Sequence, residues 1–473
     1  MSKTTIVIVT LLVYKLILLG IGWWAKSRNQ NEEDFFLGGR GLGPLVAAIS
    51  YSSSASSAWT LLGVSGIAYV MGVSALWIAA GSFTGMLVAW FWIAPRLMSF
   101  SREHNQITLT DVLAHGTEGS MRRNITIVSS IIIVFSFTFY VAAQFQGAGN
   151  TFASTFQLPM SQSILIGAAI IMIYTMLGGF WAVSVTDTVQ GLLMALAAII
   201  LPVAAFGAVG GLDGFIEGLQ AVSTPDQLSW TGGKAGLVAL GVVLGSLSIG
   251  FGTYGQPHLL VRFMALRDEK AMRQARVITI AWYSLVFLAM LFVGLVGHVL
   301  HATIDNSENI FFVLTESLFS PVIGAIILAA VLSAIMSTAD SQLLVAASAI
   351  SHDMGLGKGS VQRNLLVSRL TIAGLVVLAV LVALFLPEKI FSRVLFAWSA
   401  LGAAFGPVVF CRLARIDVKA GAVLASIVAG FGFSVVFYLM PNTPGDVLER
   451  LAPFCISLII LIASKVRGSD LGK

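Results

Sequence analysis

Two aspartates stand inside long apolar runs of this 473-residue chain, each flanked by hydroxyls. Asp187 lies in Trp181-Ala182-Val183-Ser184-Val185-Thr186-Asp187-Thr188. Asp340 lies in Ser333-Ala334-Ile335-Met336-Ser337-Thr338-Ala339-Asp340-Ser341. A charged side chain in such surroundings costs at least ~2.5–3.5 kcal/mol to insert, so it marks a functional position by default. For Asp187 a second reading stays open, a carboxylate accepting backbone N–H groups near a helix start. Ser333, Ser337 and Ser341 recur at i, i+4 and i+8 and share one helix face, with Thr338 and Asp340 flanking Ser337. Hydroxyl and carboxylate oxygens are what a hard cation such as sodium takes. The alternative is that these hydroxyls bond their own helix backbone.

A cation site of this kind also wants freed backbone carbonyls, and two apolar runs are interrupted where a helix would fail to supply its own bonds. One carries Ser50-Tyr51-Ser52-Ser53-Ser54-Ala55-Ser56-Ser57-Ala58. The other carries Gly245-Ser246 and then Gly250-Phe251-Gly252-Thr253-Tyr254-Gly255-Gln256-Pro257. Broken helices in corresponding places of two halves point to a transporter binding site at the midplane. Small residues that merely let helices pack closely would give a similar pattern. Trp59, Tyr140 and Tyr254 are placed to close an apolar pocket around a small solute, although membrane aromatics also pack or sit at interfaces.

The elements that must hold these groups are membrane helices. Hydrophobic residues make up 57% of the chain and charged residues 10%, where a soluble domain has about 25% charged. That excludes a secreted enzyme, a nucleic-acid binder and a disordered scaffold. Thirteen spans are expected, at 4–25, 42–70, 74–98, 124–156, 161–181, 183–207, 235–261, 274–300, 321–351, 365–387, 391–412, 418–440 and 447–465. With the N-terminus outside and the C-terminus inside, most of the 27 basic residues fall in cytoplasmic segments, among them Arg40, Arg96, Arg102, Arg122, Arg123, Arg262, Arg267, Arg412 and Arg415. Outside fall Lys3, Lys234, Lys389, Arg393 and Arg450, in keeping with the positive-inside rule. The net charge of +5 is therefore a topology signal. Residues 1–41 hold an extra span and loop, 42–207 a first five-span unit, 208–234 an external loop, 235–412 a second unit inserted upside down, and 413–473 two further spans with a short tail.

Several strings then resemble the sodium/solute symporter family: Phe35-Phe36-Leu37-Gly38-Gly39-Arg40, Gly178-Gly179-Phe180-Trp181-Ala182-Val183-Ser184, Thr186-Asp187-Thr188-Val189-Gln190, Gly255-Gln256-Pro257-His258 and Met336-Ser337-Thr338. Ser341–Val345 and Ala397–Val409 bring the chain nearest to the proline-transporting branch. The resemblance spans about residues 5 to 465. It implies an all-α, leucine-transporter-like bundle of five plus five inverted helices with flanking spans. It also implies a sodium ion held by the carbonyls of Ser53, Ser56 and Ala334 and the hydroxyls of Ser337 and Thr338. A second sodium or a coupling role falls by the same resemblance on Asp187, Ser337, Thr338, Asp340, Ser341 and Arg40, and solute binding on Ser57, Trp59, Tyr140, Gln144, Thr253 and Tyr254. Two positions depart from the branch: Ala55 stands where it has an aspartate, and Ile249 and Thr253 stand where it has a tryptophan and a tyrosine.

The function expected is secondary active symport in the inner membrane, with sodium entry driving uptake of proline or another small amino acid. The partners are then the solute, sodium and the lipid bilayer, with no nucleic acid and no organic cofactor. Proton coupling through Asp187 or Asp340, with an amino acid or small carboxylate as cargo, is the alternative. A transporter-like sensor would need an appended signalling domain. An enzyme finds no support, because HExxH, GxSxG and a complete P-loop are lacking around candidates such as Gly357-Lys358-Gly359-Ser360. His298 and His301 have no third metal ligand in view.

Overall fold

The computed structural model describes residues 3–26, 32–176, 179–357, 361–386, 388–441 and 443–465. Gly178 and the Lys358–Ser360 string lie outside the described residues. Within them the regular structure is helical, joined by turns and loops, with two isolated β-bridges, Leu42 with Leu266 and Val418 with Lys465. Among the described residues, ten helical stretches are long and apolar enough to cross a membrane.

The principal helices are α1 (Lys3–Lys26), α2 (Pro44–Ala55), α3 (Ser65–Met71), α4 (Leu76–Val88), α5 (Ala94–Glu103), α6 (Gly119–Phe156), α7 (Met160–Thr175) and α8 (Phe180–Ala208). They continue with α9 (Gly236–Leu247), α10 (Pro257–Ala265), α11 (Glu269–Leu300), α12 (Pro321–Ser348), α13 (Val361–Phe385), α14 (Ile390–Leu413), α15 (Ala420–Tyr438) and α16 (Ala452–Ala463). Helical residues run without interruption from Trp59 to Glu103, but the path turns at Gly72, whose φ of +64 is one that a side chain would resist. Contacts place the two ends apart. The Tyr69 hydroxyl donates to the His301 carbonyl (2.8 Å), whereas the Arg102 guanidinium reaches the Arg267 carbonyl (2.8 Å) beside the Leu42–Leu266 bridge.

Burial sorts the helices into a core and a jacket. In the most apolar window of α14, 89% of residues are buried, against 72% in the stretch containing α12 but 17% in α1 and 28% in α13. The jacket turns Leu16, Val203, Leu237 and Leu370 outward. That suits lipid as the solvent, since these helices satisfy their backbone bonds internally. The core instead buries Ser50, Ser53, Ser54, Asp187, Ser337, Thr338 and Asp340 completely. Helices α2, α8, α10 and α12 meet around those polar groups.

Candidate functional site

The first break falls where the serine-dense stretch predicts it. Helix α2 ends at Ala55, Ser56 leaves helical geometry (φ −96, ψ 15), and the chain resumes as a π-helical segment over Trp59–Val64. Side chains hold the restarted end. Gln144 Oε1 accepts from the Ala58 N–H (3.1 Å), and Ser57 Oγ accepts from the Trp59 N–H (3.1 Å). Ser57 Oγ also lies 3.5 Å from the Tyr140 hydroxyl. The Gln144 side chain thus positions the break, where the resemblance implied a contact to solute.

On the other side of the break stands α12. Ser337 Oγ donates to the carbonyls of Ser53 (3.3 Å) and Ala334 (3.2 Å), and Thr338 Oγ1 donates to the Ser54 carbonyl (3.0 Å). The Ser56 hydroxyl is buried with no hydrogen-bond partner. Three of the five residues expected around a sodium ion, Ser53, Ala334 and Ser337, are therefore joined by hydrogen bonds; Thr338 reaches the same break at Ser54, and Ser56 caps α2 there. Every oxygen in this set is neutral. A hard monovalent cation fits such a set by taking the carbonyl oxygens and hydroxyl lone pairs while the hydroxyl protons turn away.

Asp187 is occupied by a partner that the sequence reading placed in a cytoplasmic loop. Arg262 sits on α10, is 1% exposed, and its Nη2 lies 2.8 Å from Asp187 Oδ2, which is itself fully buried. The same guanidinium donates to Ser50 Oγ (2.8 Å), Ser54 Oγ (2.9 Å), Ser341 Oγ (2.6 Å) and the His258 carbonyl. The loop assignment of Arg262 is corrected by one turn-forming residue: Pro257 restarts the helix at its first position, where its missing N–H is not needed, and carries Arg262 into the core. Asp340 points elsewhere. Its Oδ1 accepts from the Thr175 hydroxyl on α7, and its Oδ2 has no hydrogen-bond partner. Asp187, Asp340 and Ser341 therefore do not form one cluster; Ser341 belongs with Asp187 and Arg262. Arg40 bonds neither aspartate and holds Glu33 Oε1 (2.6 Å), Ser101 Oγ (3.0 Å) and the Gln106 carbonyl (2.8 Å) instead.

The second break holds the opposite wall. A short helix over Ile249–Gly252 and a 3-10 turn over Thr253–Gly255 lead to Gln256 in extended geometry. Gln256 Nε2 donates to the carbonyls of Gly252 (3.0 Å) and Trp398 (3.0 Å), and Trp398 Nε1 donates to the Ile249 carbonyl (2.9 Å). A Cβ on Gly252 would land on the Trp398 indole, so this approach needs glycine. Between the breaks lies a small cavity of about 10 Å³ lined by Ala55, Trp59, Ser82, Tyr140, Ile249, Thr253, Tyr283, Val394, Leu395 and Trp398. Trp59, Tyr140 and Thr253 are lining residues as expected. Tyr254 is not: its ring packs against Phe410 (5.1 Å between centroids) and Phe251, because the 3-10 turn sends successive side chains to different sides. Ser82, Tyr283 and Trp398 were missed, because they come from other helices and nothing in local spacing ties them to the breaks.

Comparison with known proteins decides the class of this arrangement. The family described as "SSF: Sodium:solute symporter family" matches residues 35–430. The chain belongs to the sodium/solute symporter family. The osmoregulated proline transporter OpuE of Bacillus subtilis (strain 168) is 34% identical over 96% of this chain and 94% of its own length. The sodium/proline symporter of Escherichia coli (strain K12) is 33% identical over 95% of this chain and 96% of its own. Among solved structures, a Na+-coupled sialic acid symporter in a substrate-bound outward-open state superposes with a TM-score of 0.79 at 16% identity, covering 98% of this chain and 99% of that one. MhsT in complex with L-phenylalanine gives 0.54 at 14% identity over 90% and 98%. These likenesses show the fold, a leucine-transporter-like helical bundle, and with the apolar helices they make this a multi-pass membrane protein of the symporter family.

Proposed function

We propose that this symporter carries a small amino acid, proline first, together with sodium. The observation that carries the reading is the junction of the Ser53–Ser57 break with Ser337 and Thr338, beside a cavity walled by aromatic rings. The names of the relatives support proline as cargo. The chemistry of the lining suits a small solute with an apolar body: Trp59, Tyr140, Tyr283 and Trp398 offer ring faces, and no charged side chain is among the described lining residues. The protein then spans the membrane thirteen times, with the N-terminus outside and the C-terminus inside, and residues 42–207 and 235–412 are the two inverted units. The face carrying Leu42, Arg102 and Leu266 is cytoplasmic in this orientation.

The chemistry is binding and release. Sodium joins α2 to α12 through the carbonyls of Ser53, Ser56 and Ala334 and the hydroxyls of Ser337 and Thr338, which fixes the break that forms one wall of the cavity. The solute carboxylate lies toward the positive dipole end of a half-helix start, and its ring or chain lies among the aromatics. At about −100 mV each sodium gains ~2.3 kcal/mol. A tenfold gradient adds ~1.4 kcal/mol, enough together for roughly 500-fold accumulation.

Uptake of radiolabelled proline, other amino acids and small carboxylates into proteoliposomes, with and without a sodium gradient, tests the reading. Sodium-driven proline uptake is expected. Uptake driven by a pH gradient without sodium would replace it with proton coupling, and uptake of a different solute would reassign the cavity.

A further inference from the structure

The Arg262 guanidinium touches four separate helices. It pairs with Asp187 on α8, donates to Ser50 and Ser54 on α2 and to Ser341 on α12, and is itself carried by α10, where it also bonds the His258 carbonyl. The Phe180 ring lies 5.8 Å from its central carbon. Both broken helices are therefore tied to each other and to the two helices beside them through one side chain. Arginine suits the post because its fork offers five fixed donors, which a lysine ammonium cannot reproduce.

Its level in the bundle gives the tie its meaning. Ser50 precedes Ala55 of the cavity wall by five residues of α2, about 7–8 Å at 1.5 Å per residue, in the direction of Leu42. Arg262 follows Thr253 of the cavity wall in the direction of Leu266. Farther along, the same two chain segments join again through their backbones. The Leu42 N–H donates to the Ala265 carbonyl (3.1 Å), and the Arg267 N–H donates to the Leu42 carbonyl (3.0 Å). The path from the break and the cavity toward the Leu42–Leu266 face thus crosses the Arg262 knot. Ser54 lies at both levels, since its carbonyl takes the Thr338 hydroxyl (3.0 Å) while its own hydroxyl takes Arg262 Nη2 (2.9 Å).

We infer that Arg262 is the inner barrier of the transport path, a tethered cation that keeps the two broken helices closed on the Leu42–Leu266 side and must leave Asp187 before ion and solute pass to that side. This rests on the symport reading. The role is one of positioning: Arg262 touches neither the expected sodium ligands Ser53, Ala334, Ser337 and Thr338 nor the cavity. Detachment exposes both partners of a pair whose breaking is costly while it stays buried, so release is favoured only when water reaches the knot from the Leu266 face.

The test uses the full chain with Cys411 and Cys455, both free thiols, replaced by serine and a reporter Ala55→Cys on the cavity wall. Oriented vesicles expose the Leu266 face to a membrane-impermeant maleimide, and the same proteins in proteoliposomes report sodium-22 flux without solute. With Arg262→Gln, labelling from that face and solute-independent sodium leak should each rise on the order of tenfold, the change expected when closed-state preference falls by about 1.4 kcal/mol. Arg262→Lys should lie between, and Arg267→Gln, at an exposed arginine, should match the parent. A merely structural loss would lower transport without raising either signal. Should Arg262→Gln fail to reach the membrane, Asp187→Asn/Arg262→Gln, which removes both buried charges, carries the same readouts. Parent-like labelling and leak in whichever of these variants is folded would overturn the barrier. Loss of sodium-driven uptake in the parent would instead overturn the symport reading, because the labelling needs no transport.

Discussion

Replacing Ser337 and Thr338 by alanine removes two of the five oxygens assigned to sodium while leaving α12 helical. In the structure these hydroxyls donate to the carbonyls of Ser53 (3.3 Å) and Ser54 (3.0 Å), so each links α12 to the break. A hydrogen bond or ligand contact to a charged group is worth about 1.5–3 kcal/mol. At 1.4 kcal/mol per decade, each loss therefore raises the half-saturating sodium concentration by roughly 10- to 150-fold. The unpaired carbonyls left behind cost about 1–3 kcal/mol each in stability, a loss that lowers the amount of folded protein and not the sodium dependence of the protein that is folded. The assay is initial-rate proline uptake across sodium concentrations for Ser337→Ala, Thr338→Ala and the pair. Ser348→Ala, whose hydroxyl bonds the Val345 carbonyl of its own helix (2.8 Å), is the control. The solute KM at saturating sodium should change far less than the sodium dependence. A folded double variant with the wild-type sodium curve would refute the ion site.

Asp187→Asn leaves the Arg262 charge buried without its counterion, which should cost about 3–5 kcal/mol; Asp187→Asn/Arg262→Gln should melt higher than Asp187→Asn in detergent, and an equal or lower melting point would reject the pairing. Gly252→Ala pushes a methyl into the Trp398 indole and should cost about 1–3 kcal/mol as overpacking, with uptake falling while Gly432→Ala, which has open space at its Cβ, does not. Glu308 accepts the N–H groups of Phe391 (2.9 Å) and Ile390 (3.1 Å), and burial pushes its carboxyl above the ordinary value. An acid raised in the folded state supports folding below its unfolded pKa of about 4.3 and loses that contribution as pH rises through the folded value. The melting point of the parent should therefore fall relative to Glu308→Gln as pH increases, and a constant gap would deny the titration. Ala55→Asp puts a carboxylate on the cavity wall beside the break and should lower the half-saturating sodium concentration on the order of tenfold, read in the same uptake assay.

Both breaks were legible because their causes are local. A run of serines competes for backbone bonds, and glycines followed by Gln256-Pro257 cannot continue a helix. The meeting of Ser337 and Thr338 with Ser53 and Ser54 was legible through the shared face of α12 and the family strings. Arg262 was not, because a lone arginine at the edge of an apolar run reads as loop, and only its partners on α2, α8 and α12 make its burial tolerable. The spacing that could have exposed it is Pro257 to Arg262, more than one turn into a helix that proline starts. Of the pair Thr253 and Tyr254 only Thr253 lines the cavity, for a geometric reason: adjacent residues in a tight turn face different sides, and composition cannot say which one meets the cavity. Ser82, Tyr283 and Trp398 reach the cavity from three separate helices, so only the packing reveals them.

The charges of the core bear on why ion and solute travel together. The Asp187 carboxylate is matched by Arg262 at 2.8 Å. Asp340 takes the Thr175 hydroxyl and feels the charge of Lys15 on α1. The ligand set assigned to sodium is neutral, and the wall position at Ala55 adds no charge. A sodium ion entering alone therefore brings an unbalanced positive charge into a low-dielectric core, and a zwitterionic solute entering alone brings a carboxylate with no cation of the site to face. Each is disfavoured singly, and together the solute carboxylate faces the ion while the solute ammonium lies away from it. Coupling then needs no dedicated carboxylate on the protein, because the solute supplies one. An amino acid whose carboxylate is converted to an amide should lose sodium-dependent binding more severely than one whose ring is altered, and equal losses in isothermal binding at fixed sodium would show that charge balance is not what joins the two.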